Sequence, residues 1–349
     1  MTPASTREVD LLVAGGGPAG LVTALHAARA GLRVEVWEPR PGAVDKACGE
    51  GLMPGALAEL QGLGVDPAGH PFRGIRYVAG RASADADFRR GPGRGIRRTT
   101  LHAALHGAAV AAGVGFEQRA VRALCQDDEG VRVDGVRARH LVAADGLHSP
   151  VRRLLGLEVG TAHRPRFGLR RHFAVAPWSP YVEVHWAPEV EAYVTPVADD
   201  LVGVAVLAST KGSYDARLAM LPGLREALAG AEPASDVRGA GPLRQEARCR
   251  VAGRVLLVGD AAGYVDALTG EGLALGFAQA RAAVAAILDG DPQRYDAEWR
   301  RLTRRYRWLT AALLAGTRAP LARRAVVPAA RALPPVFRGA VNALARPVG

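Results

Sequence analysis

The sequence predicts an α/β protein: a Rossmann-like dinucleotide-binding domain, interleaved with a small antiparallel β-sheet domain and followed by a helical C-terminus. Three observations predict it. An apolar run enters a glycine-rich turn and then an alanine-rich helix near the N-terminus. Two later apolar runs end in Asp-Gly and Gly-Asp, and between these lie short β-rich runs separated by turn residues. With 349 residues, 49% of them apolar and 23% charged, the chain is long enough to bury a sizeable core and is neither disordered nor collagenous in composition.

The first unit reads in order. Glu8–Ala14 is rich in β-formers and reads as a buried strand. Gly15-Gly16-Gly17-Pro18-Ala19-Gly20 follows, then a helical segment to Ala30 closed by Gly31, then a second strand, Arg33–Trp37, ending in Glu38. This is Gly-x-Gly-x-x-Gly inside a complete strand–turn–helix–strand unit. Gly15 permits the tight turn, Gly17 lets the backbone approach a pyrophosphate, and Gly20 lets helix pack on strand. Unpaired N–H groups at the helix start suit phosphates, and Glu38 is placed to accept from an adenosine ribose. The unit by itself serves NAD and FAD alike.

Two further segments separate these. Leu141–Ala144 leads into Asp145-Gly146-Leu147-His148-Ser149-Pro150-Val151-Arg152. Val255–Val258 leads into Gly259-Asp260-Ala261-Ala262, then Thr269-Gly270-Glu271-Gly272-Leu273 and a helix through Leu288. With these three motifs in this order, residues 1–298 resemble the FAD-dependent monooxygenases of the p-hydroxybenzoate hydroxylase-like (group A flavoprotein) superfamily. The Lys46-Ala47-Cys48-Gly49-Glu50-Gly51-Leu52-Met53-Pro54 segment is closer to the geranylgeranyl-reductase-like and halogenase-like branches, which share a related Cys-Gly or Gly-Glu turn. The resemblance implies that Gly15, Gly17, Gly20 and Glu38, with Ala19 and Arg40 beside them, hold the ADP half of FAD. It implies that Arg98, in Arg98-Thr99-Thr100-Leu101, contacts the ribityl–phosphate region. Asp145 would lie near the pyrophosphate, and Asp260 would bond a ribityl hydroxyl. Gly270, Gly272 and Leu273 would offer backbone N–H groups to the pyrimidine end of the ring, where a helix dipole favours the negative charge of reduced flavin. No second Gly-x-Gly-x-x-Gly unit is present, so NAD(P)H is expected as a transient co-substrate.

The discontinuous FAD-binding domain is expected at 1–72, 96–160 and 240–298. The substrate domain is expected at 73–95 and 161–239, and an Arg-rich helical segment at 299–349. Strand alternation places Tyr181, Glu183 and His185 on one face of their strand, and Glu191, Tyr193 and Thr195 together on another. His185, Tyr193, His172 and Cys48 are the weak candidates for catalytic residues; the plainer reading is a solvated sheet face and a small buried thiol. The implied reaction is hydroxylation of a phenolic or polyketide-derived molecule through a flavin C4a-hydroperoxide. Asp266-Ala267-Leu268-Thr269 lacks the prolines hydroxylases usually show there, which keeps a flavin-dependent C=C reductase of an isoprenoid as the alternative. Glu191–Pro196 lacks both tryptophans of the halogenase motif, so halogenation ranks lower.

The net charge of +11 sits in the tail: Trp299–Gly349 holds eleven arginines and no acidic residue, leaving residues 1–298 formally neutral. No base-reading motif accompanies the arginines, so no nucleic-acid partner is expected. Trp299, Leu302, Tyr306, Leu309 and Leu313 recur at helical spacing, and Val336, Phe337, Ala340, Val341 and Leu344 form a second stripe. One reading is two helices packed on the flavin domain; the sharper one is a basic helix touching anionic lipid. In both, the tail takes no part in the chemistry. Cys48, Cys125 and Cys249 match no metal pattern and, with no secretory signal or spanning segment, suggest a reducing cytoplasm.

Overall fold

The computed structural model describes residues 8–160, 165–317 and 320–348. The first seven residues, read above as free of a targeting signal, and Arg318 and Gly349 of the tail lie outside the described residues. In chain order the first half contains β1 (Glu8–Ala14), α1 (Pro18–Arg29), β2 (Val34–Trp37), α2 (Pro54–Gly62), β3 (Gly74–Ala79), β4 (Ala82–Asp87), α3 (Arg98–Ala111), β5 (Gly115–Glu117), β6 (Val136–Ala143) and α4 (Pro150–Leu154). The second half contains β7 (Phe167–Ala174), β8 (Tyr181–Trp186), β9 (Val190–Ala198), β10 (Leu201–Ala208), β11 (Val255–Leu257), α5 (Gly272–Leu288), α6 (Arg294–Gly316), α7 (Pro320–Ala332) and α8 (Pro334–Leu344).

Five strands in the order β11-β6-β1-β2-β5 pair in parallel and form the Rossmann-like core. Leu11, Leu12 and Val13 have no exposed surface, as a parallel strand covered on both faces requires. The turn after β1 leaves no room for side chains at two positions. Gly15 has φ +103°, and a Cβ there would lie 2.5 Å from the Ala144 carbonyl oxygen; a Cβ on Gly20 would lie 1.9 Å from the Gly15 oxygen. Helix α1 therefore closes onto β1 and β6 only with glycine at both.

The second sheet runs β7-β10-β9-β8-β3-β4, antiparallel except for the parallel β8–β3 pair. Val182, Val184 and Trp186 of β8 face an apolar cluster with Met53, Phe72, Ile75 and Leu268. Glu183 and His185 point to the opposite face, as the alternation predicts. That face is no open surface at Glu183: the side chain is buried, 3.0 Å from His185 Nε2 and 3.6 Å from Arg76.

The tail departs most from expectation. Its described residues form three helices where two were expected, and they do more than lean on the flavin-binding core. Helix α6 packs on α5, through buried Trp299, Leu302 and Tyr306, whereas α7 and α8 cross over to β3, β4 and β8. Val327, Ala330, Phe337 and Val341 join the apolar cluster of the second sheet. Val336 of the second stripe is 65% exposed and lies off the packed face. Glu191 of β9 accepts from both Arg323 of α7 and Arg166, which also lies 2.9 Å from Asp266. All four groups are largely buried, and burial pushes the Arg323 guanidinium down to about 10. Two positive and two negative charges in one buried cluster tie the tail to the sheet and to the Gly-Asp segment.

Candidate active site

One cavity of about 600 Å³ runs between the two sheets, within the range of small-molecule sites, about 300–1,000 Å³. Its lining passes from Glu38, Arg40 and Val121, past Gly15, Gly17, Ala19, Arg98, Asp145 and Asp260, to Cys48, Gly270, Gly272 and Leu273. It ends among Met53, Phe72, Tyr77, Val184, Tyr193, Val341 and Leu344. Thus every cofactor-binding candidate from the sequence except Gly20 lies on one continuous wall; Gly20 is packed beneath it.

The first end carries groups that could hold phosphates and a ribose. Helix α1 starts at Pro18 with Gly17 before it and no side chain capping its N–H groups, which leaves them free for an anion. Arg98 reaches over this turn, 3.8 Å from where a Gly17 Cβ would be, and its buried Nε has no partner. Glu38 Oε2 accepts from Gly16 N at 3.0 Å, and Arg40 clasps the same carboxylate. Burial works against ionisation of Glu38, but Arg40 and the N–H groups of Arg40 and Gly16 outweigh it and hold the carboxyl below its ordinary value. Asp145 Oδ2 accepts from Val151 N at 3.0 Å, while its buried Oδ1 has no partner; burial raises this carboxyl. Arg152, fully buried, donates to Ala261 O at 2.9 Å, Leu147 O at 2.7 Å and Gln245 Oε1 at 3.1 Å. It thereby ties the Asp-Gly and Gly-Asp segments together. A bare helix N-terminus, a guanidinium beside it and two orphaned polar atoms fit a bound dinucleotide phosphate and its sugar.

The other end is built from residues far apart in sequence. Lys46 Nζ lies 3.1 Å from Asp260 Oδ2. Glu50 adopts φ +59°, a left-handed conformation unusual for a residue with a side chain. Its surroundings hold it there: Arg98 N donates to Oε1 at 2.9 Å, Ile96 N donates to its carbonyl at 2.8 Å, and His172 Nε2 lies 2.6 Å from Oε2. Arg170 Nη1 is 3.1 Å from His172 Nδ1 and another Arg170 nitrogen pairs with Asp45. Since Arg170 can only donate, Nδ1 accepts and Nε2 carries the hydrogen aimed at Glu50. Cys48, half-buried in the wall, has its Sγ 3.4 Å from Glu50 N.

Helix α5 begins at Gly272, with Gly270 and Gly272 on the cavity wall. Burial pushes the intervening Glu271 up to about 8, so it is neutral at pH 7 and does not cancel the positive end of the helix. Such an end favours the negative charge of a reduced flavin ring.

Of the four catalytic candidates, two leave the wall. His172 is locked beneath Glu50, with Ser235 Oγ 2.9 Å from its other ring nitrogen. His185 lies on the far face of the sheet with Glu183. Tyr193 lines the cavity, but its hydroxyl donates to Leu268 O at 2.8 Å and burial raises it well above its ordinary value. Cys48 also remains on the wall. The Lys46–Asp260 ion pair, the Glu50–His172 hydrogen bond and the cross-tie of Arg152 are not legible from spacing, because their partners are separated by about a hundred residues or more.

A family model described as FAD binding domain matches residues 8–291. Menaquinone reductase of Mycolicibacterium smegmatis is 30% identical over 329 residues, 84% of this chain and 79% of the relative. Digeranylgeranylglycerophospholipid reductase 1 of Methanopyrus kandleri is 30% identical over 342 residues, 84% and 86% of the two chains. Among solved structures, the anhydrotetracycline hydroxylase OxyS of Streptomyces rimosus superposes with a TM-score of 0.75 over 97% of this chain and 76% of its own, at 24% identity, a likeness of fold.

Proposed function

The chain belongs to the FAD binding domain family and is an FAD-dependent oxidoreductase, and from that premise we propose that it saturates a carbon–carbon double bond in an isoprenoid or similarly greasy substrate. This reverses the order of the two readings drawn from sequence. The observation that carries it is the make-up of the cavity beyond the ring site. Met53, Phe72, Ile75, Val182, Val184, Leu268, Val341 and Leu344 wall it, while His172, His185 and the Tyr193 hydroxyl are committed to protein partners. A hydroxylase acting on a phenol is served by a group that accepts or relays the phenol's proton; saturating an alkene takes a hydride from the flavin and one proton, for which the Cys48 thiol on the wall is the donor, and apolar walls that exclude water. Relatives along most of the chain that are named as reductases, one of them for a digeranylgeranyl lipid, support the same reading.

FAD, once reduced by NAD(P)H, supplies the hydride equivalent. The chain's own residues do the rest. Gly17, Arg98 and the start of α1 would hold the phosphates, and Glu38 would bond the ribose. The Lys46–Asp260 pair and the start of α5 would hold the ring, and the apolar walls of the second sheet would keep water from it. Hydroxylation stays as a second reading on one observation: Tyr77 lines the cavity and its hydroxyl makes no hydrogen bond among the described residues, which leaves a group a phenol could bond.

Anaerobic reduction by NADPH, followed by geranylgeraniol in one arm and by air with a phenol panel in the other, separates the two. The expected product is the alcohol with two added hydrogens. A phenol gaining an oxygen atom, with the alcohol returned unchanged, overturns the reduction reading. Peripheral contact with lipid belongs to this reading as well. Leu333 and Val336, 57% and 65% exposed at the α7–α8 corner, lie among the arginines of a segment without acids. Salt-sensitive co-sedimentation of the full chain with anionic vesicles checks it, and failure to bind at low salt removes it. The three free cysteines suit a reducing cytoplasm; growth-fraction localisation of a tagged full chain tests that placement, and recovery outside the cytoplasm overturns it.

A further inference from the structure

We propose that α8 is the measuring wall of the cavity, with Val341 and Leu344 setting how long a ligand the ring end accepts. The inference rests on the reading of this end as the substrate's. Val341 and Leu344, one turn apart, both line the cavity. Val341 packs in one cluster with Met53, Phe72 and Leu268, and Met53 Cε lies 3.8 Å from where a Gly270 Cβ would be, so this wall stands directly beside the ring site.

The wall is held where it cannot yield. Asn342 Oδ1 accepts from Arg89 N at 2.8 Å and its Nδ2 donates to Asp87 O at 2.9 Å. Gly55 N donates to Ala345 O at 3.1 Å, and Arg281 donates to Val348 O at 3.0 Å. The chain after α8 runs so close to α2 that a Cβ on Gly55 would lie 2.5 Å from Pro347 N. One turn earlier the Phe337 ring sits 4.7 Å from that of Tyr77. A helix pinned on both sides reads ligand length through the size of its inward side chains, because neither backbone can move to admit a longer chain.

The test uses the FAD-loaded full chain and reads binding, not turnover, from the perturbation of flavin absorbance on titration with geraniol, farnesol and geranylgeraniol. Leu344→Ala is expected to shift the preference towards the longer alcohols by about tenfold, the scale of a small change in an apolar pocket. Leu344→Trp and Val341→Phe are expected to shift it towards the shorter ones, with flavin content unchanged. If the parent binds the alcohols and every variant keeps its rank order, the wall assignment falls and the functional reading stands. If the parent binds none of them but binds 4-alkylphenols, the isoprenoid reading falls, and the same variants then read the wall on alkyl length: a shifted optimum upholds it and an unmoved one overturns it.

Discussion

The two ends of the cavity are assembled in different ways. At the phosphate end, Gly15 to Gly20 and Glu38 belong to one strand–turn–helix–strand unit, and the ligand-facing groups are chiefly backbone N–H. At the ring end, Lys46 meets Asp260, Glu50 meets His172, and Val341 meets Met53. There the working groups are side chains, and no two partners are neighbours in sequence. The first end depends on a local conformation that few residues besides glycine can adopt. The second depends on the whole chain having folded, tail included.

The largest expected effect tests the local end. Gly20→Val places its side chain against the Gly15 carbonyl, where even a Cβ has only 1.9 Å. Overpacking in a core that can adjust costs about 1–3 kcal/mol; against a backbone oxygen at 1.9 Å the cost exceeds that range, and the variant should lose its FAD altogether. The ratio of flavin to protein absorbance after purification measures it, and a variant that retains full flavin breaks the contrast. Next comes the ring end. Glu191→Ala leaves Arg323 with only the Pro188 carbonyl and takes one of two carboxylate partners from Arg166. Removal of one side of a buried ion pair costs about 3–5 kcal/mol. Thermal unfolding should show that loss while the protein, kept cold, still carries FAD, since no phosphate-end group bonds to Glu191. Simultaneous loss of flavin would mean the two ends are not separable.

The smallest effect concerns Glu271. Its folded pKa is about 8 against an ordinary 4.5. Between those values the folded chain holds a proton that the unfolded chain has lost, so this group's contribution to stability falls as pH rises through that window and levels off above it. Glu271→Gln, which cannot ionise, should unfold at the same temperature as the parent near pH 4.5 and at a higher temperature near pH 8. An equal difference at both pH values would show that the carboxyl is not neutral in the folded protein.

What could be read from the residues follows the same division. Glu8–Ala14, the glycine turn, Glu38 and the Asp-Gly and Gly-Asp segments each announce themselves over a few residues, and each lies on the cavity wall or directly under it. The alternation along Tyr181–Trp186 correctly sorted its two faces, although it could not tell that Glu183 would be buried beside Arg76. His172 and His185 read as acid–base candidates from their chemistry and strand position alone. Only their partners, 122 and two residues away, showed that both are occupied elsewhere.

The tail marks the limit most plainly. Its composition fixed that it is basic and that its helices have an apolar stripe, since charge and a helical period are properties of adjacent residues. Which surface the stripe would cover could not follow from it: an apolar face buries against any complementary face within reach. The choice was made by Arg323 finding Glu191, by Asn342 finding the backbone of Asp87 and Arg89, and by Gly55 leaving space for Arg346 and Pro347. Sequence alone determined the tight glycine turn and the uncapped start of α1, because backbone conformation is set locally. The tertiary structure alone decided that the Arg-rich tail closes the opposite end of the same cavity, because side-chain pairing across hundreds of residues is a property of the packed chain.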